Sequence, residues 1–207
     1  KKQFYIIFFL LNLVALIITA YVLLNNKQID KIIPQKQNSI EENIDASLEY
    51  FNRKWTPKQK NQFKKVLEIG QNETQINHKL ILYIISIESE FNIFAKRKNS
   101  NKTIDYGLGQ LNSKYINSRF FLSRRTLLSH NINTNIKNYY DISLNTLSIF
   151  QYLNEIMNSS IIKNFNDIVA AYNVGVVGSQ SIKMKQQKEA YLKRFYYFLN
   201  DENLKII

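Results

Sequence analysis

The apolar positions of this chain form one long block near the start and then fall into helical periods. Phe4 to Leu24 is an uncharged stretch preceded by Lys1 and Lys2. As a helix it would reach about 31 Å, enough to cross a hydrocarbon core. Its end, Ala20-Tyr21-Val22-Leu23-Leu24, offers no small-x-small cleavage site, so an uncleaved anchor is expected over a signal peptide. A polar tether follows to Asn38. Ser39 with Glu42 then forms a capping box, and Ile40, Ile44, Leu48 and Phe51 repeat at helical spacing. Thr56-Pro57 opens a second helix, which Gly70 is expected to stop. A third, from about Ile76 to Glu90, is apolar on most faces and should lie at the centre of the core. The helical period is lost from Asn92 to Asn112, where Lys96 to Lys102 reads as a basic polar loop. It returns at Asp141–Met157, and further helices are expected near Asn166–Tyr172 and Ser181–Leu199. The expected organisation is an anchor at 1–25, a tether at 26–38 and a mainly α domain at 39–207.

Composition narrows this picture modestly. In 207 residues there are 5 Gly and 2 Pro, which disfavours a many-turned β fold. There is no Cys, which rules out disulfides and thiolate metal sites. The net charge of +12 suits an anionic partner. The lysines are spread along the chain among many Asn, Ile, Tyr and Phe residues, so charge alone names no partner.

Chemistry enters at the end of the third helix, in Glu88-Ser89-Glu90-Phe91. A carboxyl at the mouth of an apolar helix is held neutral by its surroundings and can donate a proton near neutral pH. A helix C-terminus is also a mildly unfavourable place for a Glu. On this segment alone, two solvated acids at a helix end explain the pattern as well. Two later segments change the weighing. Asp105-Tyr106-Gly107-Leu108-Gly109-Gln110-Leu111-Asn112-Ser113 and Ala170-Ala171-Tyr172-Asn173-Val174-Gly175 follow in order. Together the three segments, spanning 76–191, resemble the lysozyme-like lytic transglycosylases of the soluble-lytic-transglycosylase (SLT) type.

The resemblance implies a lysozyme-like (goose-type/SLT) helical domain that cleaves the MurNAc–GlcNAc bond of peptidoglycan and forms 1,6-anhydro-MurNAc. Glu88 matches the catalytic acid, and Ser89 the Ser that supports the reacting groups. Gln110 matches the Gln that touches the sugar. Tyr172 and Asn173 match the pair across the cleft, with Tyr172 hydrogen-bonding Glu88. Tyr191 resembles the late Tyr that closes the pocket, though its short match suits a core aromatic equally. This chain departs from the pattern in four places. Val174 replaces Ala, Gly109 stands where Met is common and is expected to loosen the pocket floor, Asn145 falls where a helix-start Gly is usual, and Arg97 stands where many members carry Ser.

The Asp105 stretch also resembles animal-type lysozymes, in which an Asp joins the Glu in hydrolysis. Asp105 is therefore a candidate second carboxylate, and a muramidase is the alternative activity. A non-catalytic wall-binding module is a further alternative. Glu90 is the alternative acid, disfavoured because Ser89 follows Glu88 as in the motif. No cofactor and no metal are expected, and His78 and His130 read as surface or loop residues without metal-spaced partners. The expected partners are peptidoglycan glycan strands, the membrane through the N-terminal helix and an envelope-spanning assembly; nucleic acid is not expected. The implied location is the bacterial cell envelope, anchored in the cytoplasmic membrane with the domain outside.

Overall fold

A computed structural model describes residues 38–201, 203, 204 and 206. The expected anchor and most of the tether lie outside the described residues. Among the described residues no helix is long and apolar enough to cross a membrane.

The described chain is mainly helical, with one small sheet set between the third and fourth helices. Two helices start as their sequence predicts. In α1 (Ile40–Tyr50) the Ser39 hydroxyl accepts from the Glu42 amide at 3.1 Å, and the Glu42 carboxylate accepts from the Ser39 amide. In α2 (Pro57–Thr74) Thr56 and Gln59 make the same reciprocal pair, with Pro57 in the first turn. Gly70 does not stop α2. The helix runs a turn further to Thr74, and Gln75 ends it in the left-handed region at φ 60°. Gly70 sits where the ring of Phe150 presses against the helix, and a Cβ there would overlap that ring. Its glycine serves close helix packing, which the sequence pattern cannot distinguish from a terminator.

The third helix, α3 (His78–Glu88), is buried from His78 to Ile87, as its all-round apolar sequence requires. It is shorter than expected at both ends. Asn77 caps its start, and Glu90 and Phe91 both adopt positive φ at its finish. Two successive non-glycine residues in that region are costly and need support from the surroundings. Arg53 donates to the Glu90 carbonyl at 2.7 Å, Trp55 donates to the Phe91 carbonyl at 3.2 Å, and the wholly buried Phe91 ring packs among Phe51, Trp55 and Phe63.

The basic loop proves to be part of an antiparallel sheet. It comprises β1 (Lys96–Lys98), β2 (Ile104–Tyr106) and β3 (Leu111–Asn112), in the order β1-β2-β3. A helix that the periodicity does not announce follows, α4 (Ile116–Ser129). Its inner positions are Ile116, Phe120, Ser123 and Leu127, but Phe121, Leu122 and Leu128 are exposed, so the contrast between its faces is weak. Next comes α5 (Ile142–Met157), capped by Asp141 and buried along most of its length. It packs against α2, α3, α4 and α6 (Phe165–Val174), sharing the centre of the core with α3. A short α7 (Val176–Ser179) and a single 3-10 turn (Ile182–Met184) lead into α8 (Lys185–Leu199), which closes over α3 and α6.

His78 differs from its expected surface setting. It is buried at the start of α3, its Nδ1 2.8 Å from Gln71 Oε1 and its Nε2 3.2 Å from Asn43 Nδ2. Burial, and then the neighbouring Lys79 charge, push its pKa down to about 4. The ring is therefore a neutral part of the core. His130 is partly exposed and lies 3.0 Å from Glu73.

Candidate active site

The register of the small sheet builds one wall of a cleft. Arg97 on β1 stands opposite Asp105 on β2, and Asp105 stands opposite Asn112 on β3. Directly opposed side chains lie within contact distance across antiparallel strands. Arg97 Nη2 accordingly reaches Asp105 Oδ2 at 3.1 Å, and Asn112 Nδ2 donates to Asp105 Oδ1 at 2.8 Å. Both oxygens of Asp105 are thus engaged, and its side chain is only 8% exposed.

The other wall is helical. Glu88, the last residue of α3, points into the cleft with a side chain only 5% exposed. The Tyr191 hydroxyl of α8 donates to Glu88 Oε1 at 2.7 Å, and Arg97 Nη2 lies 3.8 Å from Glu88 Oε2. One guanidinium thus approaches both carboxylates. Arg194, one turn of α8 beyond Tyr191, donates to the Ile87 carbonyl and brings a second positive charge near. Burial nevertheless dominates, and the Glu88 pKa is pushed up to about 7 against the pull of Tyr191, Arg97 and Arg194. Glu90, the alternative acid, is largely solvent-exposed and lies 3.7 Å from Arg53.

The cleft encloses about 600 Å³ and is bordered by Glu88, Asp105, Gln110, Tyr172 and Asn173. The sequence reading placed all five around one site, and they share one wall-to-wall cavity here. The contacts in and around the cleft differ from expectation in three respects. Tyr172 does not bond Glu88; its hydroxyl donates to the Gly109 carbonyl at 2.9 Å, and Tyr191 makes the bond to Glu88 instead. Ser89 caps α3 and turns its hydroxyl back to the Ile85 carbonyl at 3.3 Å, away from the carboxylates. Gly109 does not loosen the floor: a Cβ there would come within 2.7 Å of Ile149 and 2.9 Å of the Tyr172 hydroxyl. Gln110 itself holds φ 47°, and its amide donates to the Gly107 carbonyl at 2.9 Å. Asn173 accepts from Gln187 at 3.0 Å.

Other residues join the cleft without having been foreseen. Tyr115 comes from the residue before α4, Arg119 from α4 and Tyr152 from α5, with the Arg119 guanidinium 3.9 Å above the Tyr152 ring. None of the three stands out in the sequence, and only packing brings them to the cavity. Among the described residues no group of three or more His, Asp and Glu is arranged to hold a metal ion.

A comparison with protein families matches residues 65–195 to the transglycosylase SLT domain, from the middle of α2 to the last turns of α8. No curated protein and no solved structure matches the chain. The family match covers most of the chain, including both walls of the cleft and every element that supplies a residue to it, so the chain belongs to the transglycosylase SLT domain family.

Proposed function

We propose that this protein is a peptidoglycan lytic transglycosylase in which Glu88 serves first as acid and then as base. The observation that carries this reading is a nearly solvent-free carboxyl, poised near neutral pH, at the floor of a polar cleft. At pH 7 about half of such groups hold a proton, which is the compromise a single residue needs to donate and then to accept.

Glu88 gives its proton to the oxygen linking MurNAc to GlcNAc, and that bond breaks as positive charge develops at the anomeric carbon. The carboxylate left behind is stabilised by the Tyr191 hydroxyl and by Arg97, both already in place. Glu88 then takes the proton of the MurNAc 6-hydroxyl as that oxygen closes onto the anomeric carbon. The proton count balances, and no water is consumed. Gln110, Tyr172 and Asn173 border the same cavity and are assigned to sugar binding. Tyr191 is assigned to positioning Glu88 through its hydroxyl, while Ser89, whose hydroxyl bonds the Ile85 carbonyl, is assigned to ending the helix that carries Glu88.

The muramidase alternative asks Asp105 to act as nucleophile or as an ion-pair stabiliser. Arg97 and Asn112 occupy both of its oxygens, which favours a role in holding Arg97. We place the protein in the cell envelope, anchored through Phe4–Leu24 with the domain on the outer side of the cytoplasmic membrane. The deciding experiment is mass spectrometry of peptidoglycan sacculi digested by the full chain and by Glu88→Gln. Anhydro-muropeptides from the first and none from the second are expected. Reducing-end products would refute the transglycosylase chemistry in favour of hydrolysis, and no products from either would leave a binding module.

A further inference from the structure

The outer face of α4 carries a combination unusual for a water-facing helix. Phe121 is 56% exposed, Leu122 45% and Leu128 42%. Arg124 and Arg125 lie between them, three or four residues from Phe121 and Leu128, so these four share one side of the helix and Leu122 flanks it next to Arg125. Among the described residues neither arginine has an ion-pair partner. The sequence holds no Asp or Glu between Asp105 and Asp141, and the acids that other elements bring to this helix pair elsewhere, Glu155 with Arg119 and Glu73 with His130. The inner face of α4 is already used, with Ile116, Phe120, Ser123 and Leu127 packed towards α5.

We propose that this face of α4 docks on the anionic surface of the bilayer in which the chain is anchored. Exposed Phe and Leu side chains interleaved with Arg fit the boundary between head groups and acyl chains, where apolar burial and charge attraction act together. A soluble polyanion would satisfy the arginines but leave the three apolar side chains in water. The length of chain outside the described residues points the same way. The tether at 26–38, even fully extended, spans only about 45 Å. The domain is therefore held within a domain's breadth of the membrane, where weak surface contacts act intramolecularly. The first turn of the helix belongs to the cleft, since Tyr115 and Arg119 border it. Docking along α4 brings that end of the cleft to the membrane surface and directs cleavage to glycan lying close to it.

This inference rests on the anchoring reading and not on the chemistry assigned to Glu88. The chain has no cysteine, so single labels can be placed at will. The test uses the full chain with an environment-sensitive dye at Ser129→Cys, beside Leu128 on the docking face, or at Lys58→Cys on α2 as control. Each is reconstituted into vesicles of phosphatidylethanolamine with phosphatidylglycerol, or of phosphatidylcholine alone. Docking predicts a blue-shifted emission at 129 in the anionic vesicles and an unshifted one at 58. Removing the two charges in Arg124→Gln/Arg125→Gln should lower the docked-to-free ratio by roughly 25-fold, at about fivefold per arginine. Phe121→Ser/Leu122→Ser should also abolish the shift, while flotation with the vesicles persists through the anchor. Emission at 129 that matches the control, or that survives both variants, overturns the proposal. So does an equal shift produced by dextran sulfate without vesicles, which would make the face a polyanion site. Failure of the full chain to float with vesicles overturns the anchor, and docking with it, while sacculus digestion reads the chemistry separately.

Discussion

Replacing Glu88 by Gln should stabilise the folded protein, by an amount that depends on pH. An ordinary Glu ionises near 4.5, whereas burial raises Glu88 to about 7. Between these values the folded state holds a proton that the unfolded state has released. Unfolding then releases protons, so stability falls as pH rises from about 4.5 to about 7 and stays low beyond. The gap corresponds to a penalty on the order of 3 kcal/mol once the group is fully charged. Gln has nearly the same shape, can still accept from Tyr191, and carries no charge to desolvate.

The difference in stability between Glu88→Gln and the parent should therefore be near zero below pH 4.5 and approach roughly 3 kcal/mol by pH 8. For a domain of this size that is about 6–12 °C in melting temperature. The assay is thermal unfolding followed by far-ultraviolet circular dichroism, on the full chain in mild detergent, from pH 4 to 8. His78 also titrates in the lower part of this range, because its imidazole is buried neutral. Its contribution is common to both proteins and cancels in the difference. A difference that is flat with pH, or a parent that gains on the variant as pH rises, would refute the reasoning. Glu88 would then be charged throughout, held by Arg97 and Tyr191 more strongly than burial opposes it.

Two further substitutions probe the same carboxyl through its rate profile. Tyr191→Phe removes the hydroxyl that donates to Glu88 Oε1. The Glu88 pKa should rise further, moving the alkaline limb of kcat against pH upward, and turnover at pH 7 should fall about tenfold or more for a lost bond to a charged group. An unchanged profile would show that Tyr191 is a packing residue. Arg97→Ser installs the residue that the family resemblance puts at this place and removes the charge beside both carboxylates. The protein should remain active, again with its alkaline limb moved upward; a downward move would contradict the geometry.

The two families of element differ in how much their sequence reveals. Helix starts were legible because a cap is a local device: Ser39 with Glu42 and Thr56 with Pro57 act over four residues or fewer. Features made by contact across the fold were not. Gly70 reads as a stop until Phe150, from another helix, is seen resting on it. The β1–β2 hairpin is hidden because its turn, Asn99 to Thr103, lacks a glycine, with Lys102 taking the positive φ instead. Arg97 was visible only as a departure from pattern. Its importance comes from the strand register that sets it against Asp105, and register is a non-local property.

The exchange of roles between the two tyrosines follows from the same distinction. A linear motif places Tyr172 near Glu88, and the structure does put both on one cavity. Which hydroxyl reaches the carboxyl depends on what else each can reach. Gly109 has no side chain, so the Tyr172 hydroxyl can approach the backbone closely enough to donate to the Gly109 carbonyl. A Met in that place, as the family resemblance would have it, would bring a Cβ against both Tyr172 and Ile149. Such a contact would force Tyr172 or its neighbours to move. In this chain Tyr172 is satisfied by the turn, its phenol held protonated first by burial and then by the nearby Glu88 charge. Tyr191 is left as the donor to Glu88, buried to a similar degree on α8. The departure at 109 and the reassignment of the tyrosines are thus one structural fact, and a sequence read segment by segment can see only its first half.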